Sequence, residues 1–304
     1  MGDGLTAVIE MARTSGLALV PLERRDPLVA TTYGLGEAIL AALDRGFRRF
    51  IVGIGGSATN DGGAGMAQAL GVVLADEAGT ALPFGGAALA GLAAIDLAGL
   101  DPRARDATFL VACDVSNPLT GPEGASAIYG PQKGASPEMV DRLDAALGQF
   151  ARVVERDVGA EIDRLKGAGA AGGLGGGMVA FLNAELRDGV DIVLDAVGID
   201  SHLEGADLVV TGEGCLDYQT VYSKAPIGVA ERAGSKGIPV IAISGSLGER
   251  YKLVHDRGID AATAIPLGPM TLEELSSRAS ELIADATEEA MRFLKVGGRL
   301  FSGG

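Results

Sequence analysis

The sequence predicts an α/β protein built on parallel sheets, and three features carry that prediction. Short apolar runs such as Phe50–Val52, Phe109–Cys113 and Val240–Ile243 end in glycine and small polar residues, the pattern of buried parallel strands. From Ala206 onward such runs alternate with helix-like segments, an order that places helices on the faces of a parallel sheet. Helix starts are also spelled out, by Ser136-Pro137 and by Thr271-Leu-Glu-Glu274, because serine and threonine cap helices and proline suits the first helical position.

Taken in order, residues 6–11 read as a strand. A helix follows from Tyr33-Gly34-Leu35-Gly36, with Ile39, Leu40, Leu43 and Phe47 near helical spacing and Gly46 at its end. The strand Phe50–Val52 leads into a glycine-rich loop, then a helix over 64–70 and a strand over 72–74. The run Phe109–Cys113 delivers Asp114 at its carboxyl end, where open α/β sheets hold ligands. Residues 115–134 read as loop, punctuated by Asn117-Pro118, Gly121-Pro122 and Gly130-Pro131. The helix after Ser136 turns Met139, Leu143, Leu147, Phe150 and Val154 inward. Strands follow over 207–210, 240–243 and 261–265. A single long helix closes the chain, with Leu275, Ala279, Leu282, Ile283, Ala286 and Phe293 as its inner face.

Composition narrows the function. A net charge of −15 over 304 residues disfavours nucleic acid and anionic membranes as partners. Aromatics at 4% and the lack of tryptophan leave no stacking platform for bases. Cys113 and Cys215, without a Cys-x-x-Cys motif, fit a reducing compartment, and the start shows no secretory pattern, so a cytoplasmic protein is expected. Both cysteines are expected to serve packing. His202 and His255 read as surface residues, too far apart in sequence for a zinc site. Composition leaves homo-oligomerisation open.

The chemistry concentrates in Gly53–Gly65, G-I-G-G-S-A-T-N-D-G-G-A-G. Glycines let the backbone turn sharply and let a ligand approach it closely. Exposed N–H groups beside Ser57, Thr59 and Asn60 suit an anion, and Asp61 could hold a metal or take a proton. A second stretch, Gly167–Gly177, reads as a closely packed loop rather than a linker, since it lacks linker serines and charges. Gly53-x-Gly55-x-x-Ala58 with Asp76 further on also fits a dinucleotide fingerprint. That reading starts a helix at Ser57 and loads its first turns with three glycines, each costing about 1 kcal/mol relative to alanine. Phosphoryl transfer needs an anion cradle, a metal-holding carboxylate, a cation and a base. Asp61, Asp114, Lys133, Glu213, Asp217 and Lys224 supply such groups next to strand ends or glycines.

These residues sit in long motifs: G-I-G-G-S-A-T-N-D-G-G-A-G-M-x-Q-A-L-G, A-C-D-V-S-N-P-L-T-G-P-E-G-A-S-A-I-Y-G-P-Q-K-G-A, G-A-G-A-A-G-G-L-G-G-G and T-G-E-G-x-L-D-x-Q-T, the last running on to K-A-P-I-G-V-A and S-G-S-L-G. In that order they resemble the bacterial glycerate kinases of the glycerate 2-kinase type, over nearly the whole chain. The resemblance implies ATP-dependent phosphorylation of glycerate with Mg²⁺, in a cleft between two Rossmann-like or flavodoxin-like lobes. A first lobe over 1–203 would carry most of the motifs, and a second, Rossmann-like lobe over 204–304 would be incomplete without the family's N-terminal segment. Gly55, Gly56, Ser57, Thr59, Asn60, Asn117, Glu213, Asp217 and Lys224 are the expected binding residues. Asp61, Asp114 and Lys133 are the expected catalytic ones, with Asp114 and Glu213 on the metal. Two departures stand out. Ser223 replaces the usual glycine before the lysine, and the family's D-S-F-K and D-G-G-E-G motifs do not precede Met1. The second departure predicts an exposed sheet edge, low stability and weak activity, and leaves a non-catalytic binding remnant as the competing class.

Overall fold

Two phenylalanines on neighbouring strands show how the first sheet is registered. In the computed structural model, which describes residues 1–222 and 224–301, the early strands are Thr6–Glu10 (β1), Arg49–Gly53 (β2), Val73–Ala75 (β3), Ala94–Asp96 (β4), Thr108–Ala112 (β5) and Glu185–Arg187 (β6). A parallel sheet runs in the order β1-β2-β5-β6. Phe50 lies opposite Phe109 in this register, their rings stacked with centroids 4.7 Å apart, and Val52 lies opposite Val111. All four are buried, while Ile51 and Leu110 are half-buried on the other face. The strand expected over 72–74 forms as β3, but it pairs antiparallel with β4 in a separate ribbon rather than joining the parallel sheet.

The helix Pro137–Val158 begins as its sequence dictates. The Ser136 hydroxyl accepts from the Met139 N–H at 3.3 Å, Pro137 takes the first position, and Gly159 ends the helix at φ +79°. Leu143, Leu147, Phe150 and Val154 are buried as expected, and Phe150 packs on Phe181.

The remaining strands Val209–Thr211 (β7), Val240–Ser244 (β8) and Ala261–Ala264 (β9) form a parallel sheet of their own, in the order β7-β8-β9. Every residue of β8 is buried, as a central strand covered on both faces requires. The chain divides into two compact units, Met1–Gly189 and Val190–Gly304. The sequence reading divides it after residue 203. The helix Ile199–Leu203 instead contributes Ile199 and Leu203 to the apolar cluster of Leu216, Ile227 and Val240 in the second unit.

The C-terminal helix departs from expectation. The Thr271–Glu274 capping box is present, but the helix it opens ends at Ser277 and a second runs over Ala279–Phe301. Ser277 Oγ donates to the Glu274 carbonyl, which also accepts from the Arg278 N–H. That local bond competes with the helical ladder. Leu282 is fully buried and Leu275 and Ala286 pack beside it, whereas Ile283 is half exposed and Phe293 is 75% exposed. Phe293 therefore does not belong to the inner face, and Ile283 lines a cavity beside Leu275 and Ala279 rather than packing in the core. Among the described residues no helix is long and apolar enough to cross a membrane.

These differences set a stability contrast. Phe109→Ala should cost about 3–5 kcal/mol, as removal of a buried aromatic does, and Phe293→Ala should stay within about 0.5 kcal/mol. Denaturant titration followed by far-ultraviolet circular dichroism measures both, and equal losses would refute the assigned burial.

Candidate functional site

Strand β2 ends at Gly53, and the chain turns inward rather than into a helix. Leu17 N–H donates to the Gly56 carbonyl at 2.8 Å and Ala58 N–H to the Ser15 carbonyl at 3.0 Å, so the loop is held like a short strand from 56 to 58. The next helix starts only at Ala64. Asp76 opens the tight turn directly after β3, accepting from Ala78 and Thr80 N–H. Both facts remove the dinucleotide reading, which needs a helix opening at Ser57 and an acidic residue aimed at a ribose.

Asp61 is enclosed. Its Oδ2 accepts from the Thr32 N–H (2.8 Å), the Thr32 hydroxyl (2.9 Å) and the Gly65 N–H (3.2 Å), and its Oδ1 accepts from the Gly63 N–H (3.2 Å). Thr32 Oγ1 in turn accepts from the Met66 N–H, closing the network at the start of the next helix. Burial raises the Asp61 carboxyl above its ordinary value, and these four donors oppose that shift only in part. A side chain at Gly65 would bring its Cβ to 2.0 Å from Thr31 Oγ1. The glycine is there for room.

The second glycine stretch packs against the first, as a closely packed loop should. Gly62 N–H donates to the Gly172 carbonyl at 3.0 Å. Gly172 has φ +70°, and a Cβ on it would meet the Thr59 carbonyl oxygen at 2.0 Å. The helix Leu174–Leu182 then leaves from this contact.

Lys133 is the other buried charge. Gly130-Pro131 brings the chain down into a single turn over Pro131–Lys133, and Gly134 at φ +94° takes it away again. Lys133 is 1% exposed, and its Nζ donates to the Thr59 carbonyl at 2.7 Å. Burial lowers its pKa from 10.5 to about 8, against the pull of the Asp61 charge.

The lysine opens onto a cavity of about 310 Å³ lined by Gly55, Gly56, Ser57, Asp114, Tyr129 and Lys133, among others. Asp114, delivered by β5, is exposed at this cavity and accepts from the Gly189 N–H at 2.7 Å. Among the described residues it is the one carboxylate in the lining. Thr59, Asn60, Asp61 and Asn117 do not line it. Thr59 and Asn60 are buried in the loop's inner turn, Asn60 Nδ2 donating to Ser126 Oγ. Asn117 accepts from the Tyr129 hydroxyl at 2.7 Å and donates to the Glu123 carbonyl. Its part is to orient Tyr129, a lining residue that shares the motif with Lys133 but offered no separate signal. Thr32 also escaped sequence reading, because its partner lies 29 residues away.

In the second unit, β7 hands its carboxyl end to Glu213. Glu213 Oε1 accepts from the Thr220 hydroxyl at 2.5 Å. Lys224 Nζ lies 3.6 Å from Glu213 Oε2 and 3.9 Å from Asp217 Oδ1. These three expected residues therefore meet in one cluster. Ser223 lies outside the described residues. Cys113 is buried, as a packing residue should be. Cys215 is half-buried. His202 and His255 are exposed.

The glycerate kinase family model matches residues 1–295. The chain belongs to the glycerate kinase family. It is 51% identical to a glycerate kinase of Bacillus subtilis (strain 168) over 301 residues, covering 99% of this chain and 79% of that one. It is 49% identical to a glycerate 2-kinase of Escherichia coli (strain K12), covering 98% of this chain and 78% of that one. A crystal structure of a Salmonella typhimurium LT2 protein proposed to be glycerate kinase 2 superposes with a TM-score of 0.86 at 49% identity, covering 98% of this chain and 78% of the other.

Within this glycerate kinase fold the two expected catalytic aspartates separate by environment. Asp61→Asn puts an amide N–H against backbone donors and should cost about 3 kcal/mol of stability. Asp114→Asn keeps its acceptor oxygen for Gly189 and should cost less than about 0.5 kcal/mol. Urea titration of both variants checks this, and a stable Asp61→Asn would show that the carboxylate does not hold the loop.

Proposed function

We propose that the protein is a glycerate kinase that transfers the γ-phosphoryl group of ATP to the 2-hydroxyl of glycerate. The observation that carries this reading is Lys133, a buried ammonium opening into a cavity of about 310 Å³ that also presents Asp114. A short hydroxy acid suits such a space. Its carboxylate can pair with Lys133 and take hydrogen bonds from Ser57 and the Gly55–Gly56 backbone, in a low-dielectric wall where charge pairing is strong.

The chemistry follows from these groups. The hydroxyl oxygen forms a bond to the γ-phosphorus as the bond from that phosphorus to the β,γ-bridging oxygen breaks, and ADP leaves. The hydroxyl proton passes to a base, and we assign that role to Asp114. It lies at the cavity, exposed and at the end of a strand. Asp61 acts at one remove, by holding the loop whose Thr59 carbonyl anchors Lys133. The 2-position is favoured by likeness to the Escherichia coli protein named a glycerate 2-kinase.

Mg²⁺ fits the second unit in one mode. Among the described residues no three histidine, cysteine, aspartate or glutamate side chains converge on a metal position. Mg²⁺ commonly takes only one or two carboxylates and completes its shell with water and substrate phosphates. Glu213 and Asp217, which already share one cation in Lys224, would hold it. Bound there with the nucleotide, the ion would neutralise charge on the β- and γ-phosphates. Lys224 and the Gly212–Gly214 loop would contact the same phosphates.

Coupled-enzyme measurement of glycerate-dependent ADP release tests the activity, and a purified protein that binds both substrates without release would be the non-catalytic remnant instead. Lys133→Ala should lower kcat/KM for glycerate by about a hundredfold or more. In the native protein kcat/KM should fall as pH rises through about 8, where Lys133 loses its proton, rather than near its ordinary 10.5. A Lys133→Ala variant within about threefold of native activity would remove the assignment.

A further inference from the structure

We infer that the nucleoside end of the nucleotide binds in a cavity of the second unit, between the carboxyl ends of β7 and β8 and the two C-terminal helices. This rests on the kinase reading above and adds to it a place for the base and sugar.

The cavity measures about 590 Å³, roughly the scale of small-molecule sites and nearly twice the volume beside Lys133. Its floor is two strand-end loops drawn together. Gly245 N–H donates to the Glu213 carbonyl and Leu216 N–H to the Ser246 carbonyl, each at 3.0 Å. The approach needs glycines, because a Cβ on Gly212 would lie 2.0 Å from the Ile243 carbonyl oxygen and one on Gly245 would lie 2.4 Å from that of Gly214. Gly214, by contrast, faces open space, with nothing within 4 Å of a Cβ built on it. Carboxyl ends of parallel strands are where open α/β sheets take ligands.

The lining is chemically mixed. The loop after β7 brings Glu213, the carboxylate that Lys224 approaches and Thr220 hydrogen-bonds. Ile243, Ile265, Leu275, Ala279 and Ile283 bring apolar surface, with Ser276 and Thr287 beside them on the helices. A ligand matching both kinds of lining carries phosphates and a cation at one extremity and a flat, largely apolar ring at the other. An adenine nucleotide has that form. The cavity beside Lys133 lacks an apolar slot of this size. The occupancy also explains why Ile283 stays half exposed on a helix whose Leu282 is fully buried: it faces a ligand space rather than a protein core.

Two variants test this in the full chain. Ala279→Phe places a ring in the apolar slot, and should raise KM for ATP at least about tenfold while moving KM for glycerate less than about twofold. The chain contains no tryptophan, so Leu272→Trp, at the rim of the cavity, gives a reporter without background. Its emission should change saturably with ADP and with adenosine, and not with glycerate. If Ala279→Phe fails to fold, as judged by its melting transition, Leu272→Trp decides alone. A folded Ala279→Phe with native KM for ATP, or a Leu272→Trp protein whose emission ignores ADP, overturns the inference. Glycerate-dependent turnover with a silent reporter would sink the pocket assignment and leave the kinase reading intact. A responsive reporter without phosphate transfer to glycerate would do the reverse.

Discussion

One buried carboxylate holds the first unit's site together. Asp61 accepts four hydrogen bonds from Thr32, Gly63 and Gly65, with no exposure to solvent that would let water replace them. An unpaired donor in such a place is costly, so each bond constrains the loop more than its net energy suggests. The network ties residue 32, ahead of a helix, to residues 61–66, at the start of another. The shape of Gly53–Gly65 thus follows from where Asp61 can find partners.

From that constraint the loop acquires two faces. Residues 55–57 turn toward the cavity, and Thr59, Asn60 and Asp61 turn into the protein. The inward face does two things. Its backbone meets the second glycine stretch at Gly172, and its Thr59 carbonyl receives the Lys133 ammonium. The lysine and the aspartate are then two charges within one buried region. The negative charge of Asp61 favours a protonated Lys133 even as burial disfavours it, and the balance leaves the lysine near pH 8. A cation so placed is cheap to neutralise with a substrate anion, since its desolvation is already complete.

Much of this could be read from the residues. Strand ends, the Ser136 and Thr271 caps, the parallel order and the close packing of Gly167–Gly177 all follow from local rules, and local rules act over a few residues. Motif order points to the family, and Lys133, Asp114, Ser57, Glu213, Asp217 and Lys224 stand out by their place beside strand ends and glycines. What could not be read is orientation. Asp61 and Asp114 both follow strands and look alike in sequence, yet one is sealed among backbone amides and the other opens on a cavity. That difference depends on Thr32, a contact across 29 residues with no periodic signal. The break at Arg278 escaped for a similar reason. Ser277 has a free choice between solvent and the Glu274 carbonyl, and only the packed helix decides it.

The Gly53–Gly65 loop is built by the protein before any substrate arrives. Native-state amide hydrogen exchange on the ligand-free chain tests it directly. The Gly62, Gly63 and Gly65 amides, bonded to Gly172 and Asp61, should exchange as slowly as the Phe50 and Val52 amides of β2, because opening them requires unfolding the unit. Exchange of these glycines at the rate of an exposed turn such as Gly79, slowing only when glycerate is added, would contradict it.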